Sequence, residues 1–182
     1  MAFLEEDLAA VDRSETPWVV TLSHRPMYCS ANWWQDPEDH CHQCVEEEEP
    51  HERHNRDCTD SAPLVQDAYE ELFYKHEVDI SFFGHVHAYE RMAPAYRNET
   101  VISEYDSTHT TKGAKAPVQI ITGVPGQQES YAPVSPTPLP FSVLQTDEKS
   151  FGKLTAYNAT HLYWEQISSI DDSILDYYWL IK

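Results

Sequence analysis

A short apolar run, a glycine and two closely spaced histidines occupy residues 78–91, and they constrain the fold more than any other part of the chain. The run from Val78 to Phe83 is rich in bulky and aromatic residues, which predicts a buried strand. Gly84 then allows a sharp turn at the end of that strand. His85 and His87 follow, so we expect their imidazoles at the carboxyl edge of a sheet, where open α/β folds bind ligands. Imidazole is a ligand for zinc, iron, copper and nickel, so the segment predicts a metal site.

A third histidine follows another apolar strand. Residues 18–22 form the strand pattern, and His24 lies just beyond it. A helical pattern at 64–76 separates this strand from the one at 78–83. The order strand, loop, helix, strand predicts a parallel βαβ-like unit, which would place His24 on the same sheet edge as the later histidine pair. Three converging imidazoles would form a metal site, although a single histidine is more often a hydrogen-bonded polar residue than a ligand.

The rest of the chain gives a coarser reading. We predict an amphipathic helix at 3–12 and a long polar loop at 31–62, while residues 98–116 show no clear period. Residues 124–140 are rich in proline and predict a surface loop. Further strands are predicted at 118–121, 154–157, 162–167 and 174–181, with turn signals at 158–160 and 171–172.

Size and charge exclude several classes of protein. The chain has 182 residues, which is enough for one domain with a real core. Its net charge of -19 argues against nucleic acid and anionic membranes as partners. No run is long and apolar enough to span a membrane. The acidic run 46–49 is expected to be a solvated loop rather than a cation site.

Cysteines and sequons favour an oxidising compartment. The 4 cysteines lie in the first third of the chain, and an even count in one window is typical of two disulfides. Asn98 and Asn158 each begin a glycosylation sequon. Together these features predict a secreted or extracellular protein. Residues 1–8 lack the basic and apolar regions of a signal peptide, so we expect that a further N-terminal part exists.

The two histidine segments resemble a known family. Residues 23–30, Ser-His-Arg-Pro-Met-Tyr-Cys-Ser, and residues 84–91, Gly-His-Val-His-Ala-Tyr-Glu-Arg, are similar to the last two metal motifs of animal and fungal purple acid phosphatases. Most of the chain outside residues 31–56 shares the resemblance. It implies an α/β fold: the C-terminal half of a four-layer α/β/β/α metallophosphoesterase sandwich, ending in β-strands. Residues 1–152, with a loop insertion at 31–62, would be a partial catalytic domain, and 153–182 its C-terminal β-segment.

The resemblance also implies an activity and its cofactors. Members of the family are acid phosphatases that hydrolyse phosphate monoesters at a centre of iron and a second metal, which is iron, zinc or manganese. His24 and His85 would bind the divalent metal, and His87 would bind the ferric ion. Such a pair lowers the pKa of a bound water and clamps the phosphate. Cys29 and Cys58 lie in family-like segments and would form a disulfide.

The sequence departs from the family pattern in its first half. The family also has Asp-x-Gly, Gly-Asp-x-x-Tyr and Gly-Asn-His motifs, which supply a bridging carboxylate, a tyrosinate and an asparagine ligand. None of the 5 glycines here is followed by Asp or Asn or preceded two residues earlier by Asp, so these motifs are absent from the sequence. Ferric iron would lose its anionic oxygen ligands. We therefore expect a fragment that is inactive by itself.

The long loop leaves further alternatives open. In the plant branch a histidine ten residues after the first metal histidine helps to protonate the leaving group, and this position is Trp34 here. His42 or His40 could take over that role, although exposed loop histidines are the simpler reading. The alternatives for the whole chain are a non-catalytic metal-binding remnant of the family and an extracellular binding module that uses the loop.

A Cys-x-x-Cys pair in the same loop has two readings. Cys41 and Cys44 could bind zinc with His51 and His54 as a second ligand pair. The predicted secreted context instead favours a disulfide.

Overall fold

The computed structural model describes residues 2–31, 58, 61–124, 132 and 134–182. Within these ranges there are two helices, α1 at Ala2–Ala9 and α2 at Ala62–Lys75. The strands, in chain order, are β1 Val20–Ser23, β2 Ile80–Phe83, β3 Tyr89–Met92, β4 Ala95–Tyr96, β5 Glu99–Thr100, β6 Tyr105–Ser107, β7 Thr110–Lys112, β8 Val118–Thr122, β9 Ser142–Thr146, β10 Ser150–Ala156, β11 His161–Ser168 and β12 Ile174–Ile181. Neither helix is long and apolar enough to cross a membrane.

The first sheet has the strand order β1-β2-β8-β3-β9. Strands β1, β2 and β8 are parallel, with Val20 paired to Ile80 and Ile80 to Val118. Strand β3 runs antiparallel to both β8 and β9. The predicted parallel β1–α2–β2 unit is therefore confirmed, and it puts the carboxyl ends of β1 and β2 on one edge.

The second sheet has the order β10-β11-β12-β7-β6. Strands β10, β11 and β12 form an antiparallel meander. Strand β7 pairs with β12 in parallel and with β6 in antiparallel orientation. A separate two-stranded sheet joins β4 to β5.

Two hydrophobic clusters hold three layers together. One lies between the helices and the first sheet and includes Leu8, Phe73 and Phe83. The other lies between the two sheets, where Phe82 packs on Trp164 with ring centroids 4.7 Å apart. Alternate residues of β11 are buried, as expected for a strand with one face on the core. The described residues thus form a mixed α/β fold dominated by sheets, as predicted.

Four strands of the two main sheets lie outside the predicted strands. Strand β3 follows the histidines directly, β6 and β7 lie within the polar stretch 98–116, and β9 follows the proline-rich loop. Strand β6 is exposed along its length, so no apolar period marks it. Strand β3 is buried although it contains Glu90 and Arg91, because both side chains have tertiary partners.

Candidate metal centre at the sheet edge

Strands β1 and β2 bring His24 and His85 together. Ser23 pairs with Phe83 at the ends of these parallel strands. The pairing continues one residue further, where the Gly84 N–H donates to the His24 carbonyl at 3.1 Å. Both histidines therefore leave the sheet at the same edge, in the position that open α/β folds use for ligands.

The two imidazoles are in direct contact. His85 Nδ1 lies 3.1 Å from His24 Nε2, and the rings meet edge to face with centroids 4.9 Å apart. Two nitrogens at this separation can both lie about 2.0–2.1 Å from one zinc-like ion when both rings are neutral. The pair therefore fits two positions of a divalent metal site.

The third predicted ligand is His87, which follows His85 in the same loop. Its carbonyl accepts a hydrogen bond from the Ala132 N–H at 3.1 Å. Within the described ranges, no group of three or more His, Cys, Asp or Glu side chains could hold a metal ion. The assignment of His24, His85 and His87 as a ligand set thus stays a prediction.

The backbone at His85 is strained. Its φ is 65°, in the left-handed region that few residues other than glycine adopt, although histidine is enriched there. Gly84, to which the sequence assigned the sharp turn, is not among the positive-φ glycines. Strain of this kind costs on the order of 1–3 kcal/mol and clusters at functional sites. The position of His85 is therefore held by its surroundings.

Gly123, at the end of β8, allows the histidine loop to approach the sheet. A Cβ atom at this position would lie 2.0 Å from the Val86 carbonyl oxygen. The Gly123 N–H also donates to the Ala88 carbonyl at 3.2 Å. Only a residue without a side chain fits this contact, so Gly123 fixes the loop that carries His85.

A buried ion pair supports the strand that follows the loop. Arg91 Nε lies 2.6 Å from Asp176 Oδ2, and the side chains are 1% and 0% exposed. The Tyr89 hydroxyl donates to the same carboxylate at 2.6 Å, and Trp164 Nε1 donates to that hydroxyl at 3.1 Å. Sequence analysis did not identify Asp176, because nothing in the local pattern of β12 indicates a partner on β3.

Burial and the charges in this cluster together shift the pKa values of Tyr89 and Arg91. Burial, followed by the neighbouring Asp176 carboxylate, raises the pKa of Tyr89 well above its ordinary value. Burial disfavours the charge on Arg91, but its hydrogen bond and ion pair with Asp176 outweigh that effect, so the pKa of Arg91 is raised. Tyr89 therefore acts as a neutral donor, and Arg91 stays charged.

Glu90 links the two histidine segments. Its carboxylate accepts hydrogen bonds from the Ser30 N–H at 2.9 Å and from the Ser30 hydroxyl at 2.5 Å. On strand β9, the Ser142 hydroxyl donates to it at 2.6 Å and Gln145 Nε2 donates at 3.1 Å. The segment after His24 is thereby tied to the strand after His87, and no sequence motif marks this contact.

A disulfide holds the same segment from the other side. Cys29 and Cys58 are bonded, with their Cα atoms 5.3 Å apart, which is the pairing that the resemblance implied. Tyr28, next to Cys29, donates its hydroxyl to Glu70 on α2 and accepts from Gln66 at 2.9 Å. The chain between His24 and Ser30 is therefore fixed to both α2 and the first sheet.

Other predicted site residues lie elsewhere. Asn98 and Asn158 are both exposed, in the turns after β4 and after β10. The predictions for Trp34, His40, His42, Cys41, Cys44, His51, His54 and the acidic run 46–49 fall outside the described residues.

Comparisons with known proteins agree with this picture. Residues 116–177 match the family model of the iron/zinc purple acid phosphatase-like protein C. Acid phosphatase type 7 of Danio rerio is 35% identical over 185 residues, which cover 100% of this chain and 38% of that protein. The probable inactive purple acid phosphatase 27 of Arabidopsis thaliana is 27% identical, over 99% of this chain and 26% of that protein.

A solved structure shows the same fold. It is a purple acid phosphatase isolated from yellow lupin (Lupinus luteus) seeds, with a TM-score of 0.71 and 29% identity. The match covers 99% of this chain and 28% of that chain. These matches show that the chain is similar to acid phosphatases over nearly its whole length. More narrowly, purple acid phosphatases and their homologues cover almost the whole of this chain, while the chain spans well under half the length of these relatives.

Proposed function

We propose that the protein containing these residues is an acid phosphatase that hydrolyses phosphate monoesters at a dinuclear metal centre. The contact between His24 and His85 at the sheet edge carries the proposal, since two imidazole nitrogens 3.1 Å apart fit one divalent ion. The sequence similarity to acid phosphatase type 7 supports phosphate esters as the class of substrate.

In this proposal each residue has a defined task. His24 Nε2 and His85 Nδ1 bind the divalent metal, which is iron, zinc or manganese. His87 binds the ferric ion, whose anionic oxygen ligands come from outside the described residues. When bound, the two metals lower the pKa of a water and clamp the phosphate. Glu90 and Gly123 fix the two histidine segments relative to each other. The histidine side chains therefore need little rearrangement when a metal binds.

The same reading extends to partners and location. The substrate is a phosphate ester, and the net charge of -19 disfavours nucleic acid and anionic membranes as partners. The Cys29–Cys58 disulfide supports a secreted or extracellular location, because disulfides persist in oxidising compartments.

A second candidate function is a non-catalytic, metal-binding member of the family. Two observations favour it. One relative is named a probable inactive purple acid phosphatase. In addition, the described part of the chain contains no group of three or more ligand side chains around one point.

Metal content and turnover, measured on the same samples, separate the candidates. We expect His24→Ala and His85→Ala in the natural protein to lose one equivalent of divalent metal and to abolish turnover of a generic phosphate ester. His161→Ala, in the β10–β11 hairpin region, is the matched control and should retain both. A wild-type protein that binds metal without any turnover would support the non-catalytic candidate, and unchanged metal content in both site variants would refute the ligand assignment.

A further inference from the structure

The outward side of the second sheet carries a continuous row of aromatic rings, which we call the aromatic face: Tyr157, Tyr163, Tyr177 and Trp179. Ring centroids are 5.3 Å apart for Tyr157 and Trp179, 4.4 Å for Trp179 and Tyr163, and 6.5 Å for Tyr163 and Tyr177. Tyr157 is 60% exposed and Tyr177 is 41% exposed. None of the four belongs to either hydrophobic cluster of the described residues. Exposed apolar patches of this kind usually mark a binding surface.

An ion pair lies beside the aromatic face. Lys153 and Glu165 are cross-strand partners beside it, and their charged groups pair with each other at 3.0 Å. Because this pair has no net charge, neither an acidic nor a basic partner gains from charge complementarity there. A neutral ligand rich in hydroxyl groups matches the surface better, because its apolar C–H groups can lie on the negative faces of the rings.

A modification sequon lies at the rim of this surface. Asn158 follows Tyr157 directly, in the turn between β10 and β11. Asn158 Oδ1 accepts hydrogen bonds from the Thr160 N–H at 2.8 Å, the Thr160 hydroxyl at 2.9 Å and the His161 N–H at 2.9 Å. These contacts fix the orientation of the side-chain amide, whose nitrogen is the atom that carries an N-linked sugar.

We propose that an N-linked glycan on Asn158 packs over the aromatic face, with its first sugar units stacked on Tyr157 and Trp179. The tether holds the sugars next to the rings at high effective concentration, so weak stacking contacts suffice. In the attachment step, the Asn158 Nδ2 atom bonds to the anomeric carbon of a lipid-diphosphate-linked oligosaccharide. The bond from that carbon to the diphosphate oxygen breaks, and the diphosphate leaves as the amide nitrogen loses one proton.

The other sequon lacks such a surface. Asn98 lies in the turn between β4 and β5, and its aromatic neighbour is Tyr96. The Tyr96 ring is stacked on Tyr74 at 4.0 Å, and the Arg97 guanidinium lies over it at 5.0 Å. Asn98 is therefore an internal control, because the ring nearest to it in sequence is already in contact with Tyr74 and Arg97. The proposal does not depend on the phosphatase function.

The natural protein, secreted from a glycosylating eukaryotic cell with isotope-labelled sugars, tests the proposal. Mass spectrometry should find a glycan on Asn158. Nuclear magnetic resonance should show upfield ring-current shifts for the first sugar units at Asn158 and none at Asn98. Asn158→Gln should lower the thermal midpoint by about 2–4 °C. The same substitution should have no further effect in a Tyr157→Ala or Trp179→Ala background, whereas Asn98→Gln should change the midpoint by the same amount in all backgrounds.

Several results would overturn the proposal. An unmodified Asn158 would do so, as would sugar signals without upfield shifts, or an Asn158→Gln effect that is the same in every background. A concentration-dependent dimer that Trp179→Ala dissociates would show that a second copy of the chain covers the face instead. If Trp179→Ala does not fold, the Tyr157→Ala background and the ring-current shifts of the wild-type protein still test the proposal.

Discussion

Two glycines near the histidine pair differ in how much they restrict the backbone. A Cβ on Gly84 would lie 3.7 Å from His24 Nδ1, which is an ordinary contact, whereas a Cβ on Gly123 would lie 2.0 Å from a backbone oxygen. The residue that takes the left-handed conformation is His85. The glycine that sequence analysis singled out is thus the less demanding of the two.

At this scale we predict that Gly123→Ala disrupts the site and that Gly84→Ala does not. The clash with Val86 must displace the histidine loop, which we expect to cost about 1–3 kcal/mol of unfolding free energy. Gly84→Ala is the matched control. Urea unfolding and bound-metal content measure the two effects, and equal behaviour of the variants would show that the close approach at Gly123 does not position the loop.

The histidine pair itself could be predicted from sequence, because it depends only on two apolar strands that pair in parallel. Gly123 and Glu90 could not be predicted in the same way. Their roles depend on a backbone oxygen and on serines that lie far away in sequence. No local period encodes such contacts.

At the scale of elements, a buried ion pair from β3 to β12 links the two sheets. Arg91 and Asp176 are both buried, and the Arg91 guanidinium also lies 4.7 Å from the centre of the Tyr178 ring. A buried pair of this kind contributes little beyond an apolar pair of equal volume, but breaking it leaves a charge without its partner.

We therefore predict that Asp176→Asn lowers the free energy of unfolding by about 3–5 kcal/mol. The double variant Arg91→Met with Asp176→Leu should recover much of this loss, since it removes both charges. Glu165→Gln, which breaks the exposed pair with Lys153, should have no measurable effect. Chemical denaturation of the three variants checks the order, and a harmless Asp176→Asn would contradict the account.

The ion pair between Arg91 and Asp176 also shows why β3 could not be predicted from the sequence, whereas other strands could. Strands β2, β8 and β11 are marked by apolar runs or by alternation, so their burial is visible in the sequence. Strand β3 is buried with a glutamate and an arginine in its centre, and only the tertiary partners make that burial possible. Strand β6 is exposed and has no apolar pattern to detect.

For the whole molecule, buried tyrosines set the stability at high pH. Burial raises the pKa of Tyr89 and of Tyr178 above the ordinary value, which is about 10 in an unfolded chain. Their neutral forms therefore stabilise the fold below about pH 10, and this contribution is lost as the pH rises through the folded-state pKa values.

We predict that the free energy of unfolding falls above pH 10 by about 1.4 kcal/mol per pH unit for each of these tyrosines. Absorbance of the tyrosinate form should increase together with loss of tertiary structure. Tyr89→Phe should make the decline shallower, because one titrating group is removed. A wild-type stability that stays constant to well above pH 10 would contradict the assignment.

The activity of residues 1–182 alone is a second prediction at this scale. We expect little or no phosphatase turnover, because the sequence lacks the Asp-x-Gly, Gly-Asp-x-x-Tyr and Gly-Asn-His motifs and so cannot complete two adjacent metal sites. Fusion to a segment that carries these motifs should restore turnover, and His85→Ala in the fusion should abolish it. Robust metal-dependent turnover by residues 1–182 would show that the account of the site is wrong.

The order of strands in the second sheet has a consequence for synthesis on the ribosome. The β6–β7 hairpin is made before β8 and β9 of the first sheet, yet its partner in the second sheet is β12, the last of the described strands. At ~5–20 residues per second the hairpin must wait several seconds for β12. During that interval the edge of β7 is open to other chains. Until β12 emerges, this edge is thus a place where the nascent protein can associate with other chains, and a chaperone that covers it before then would protect the protein.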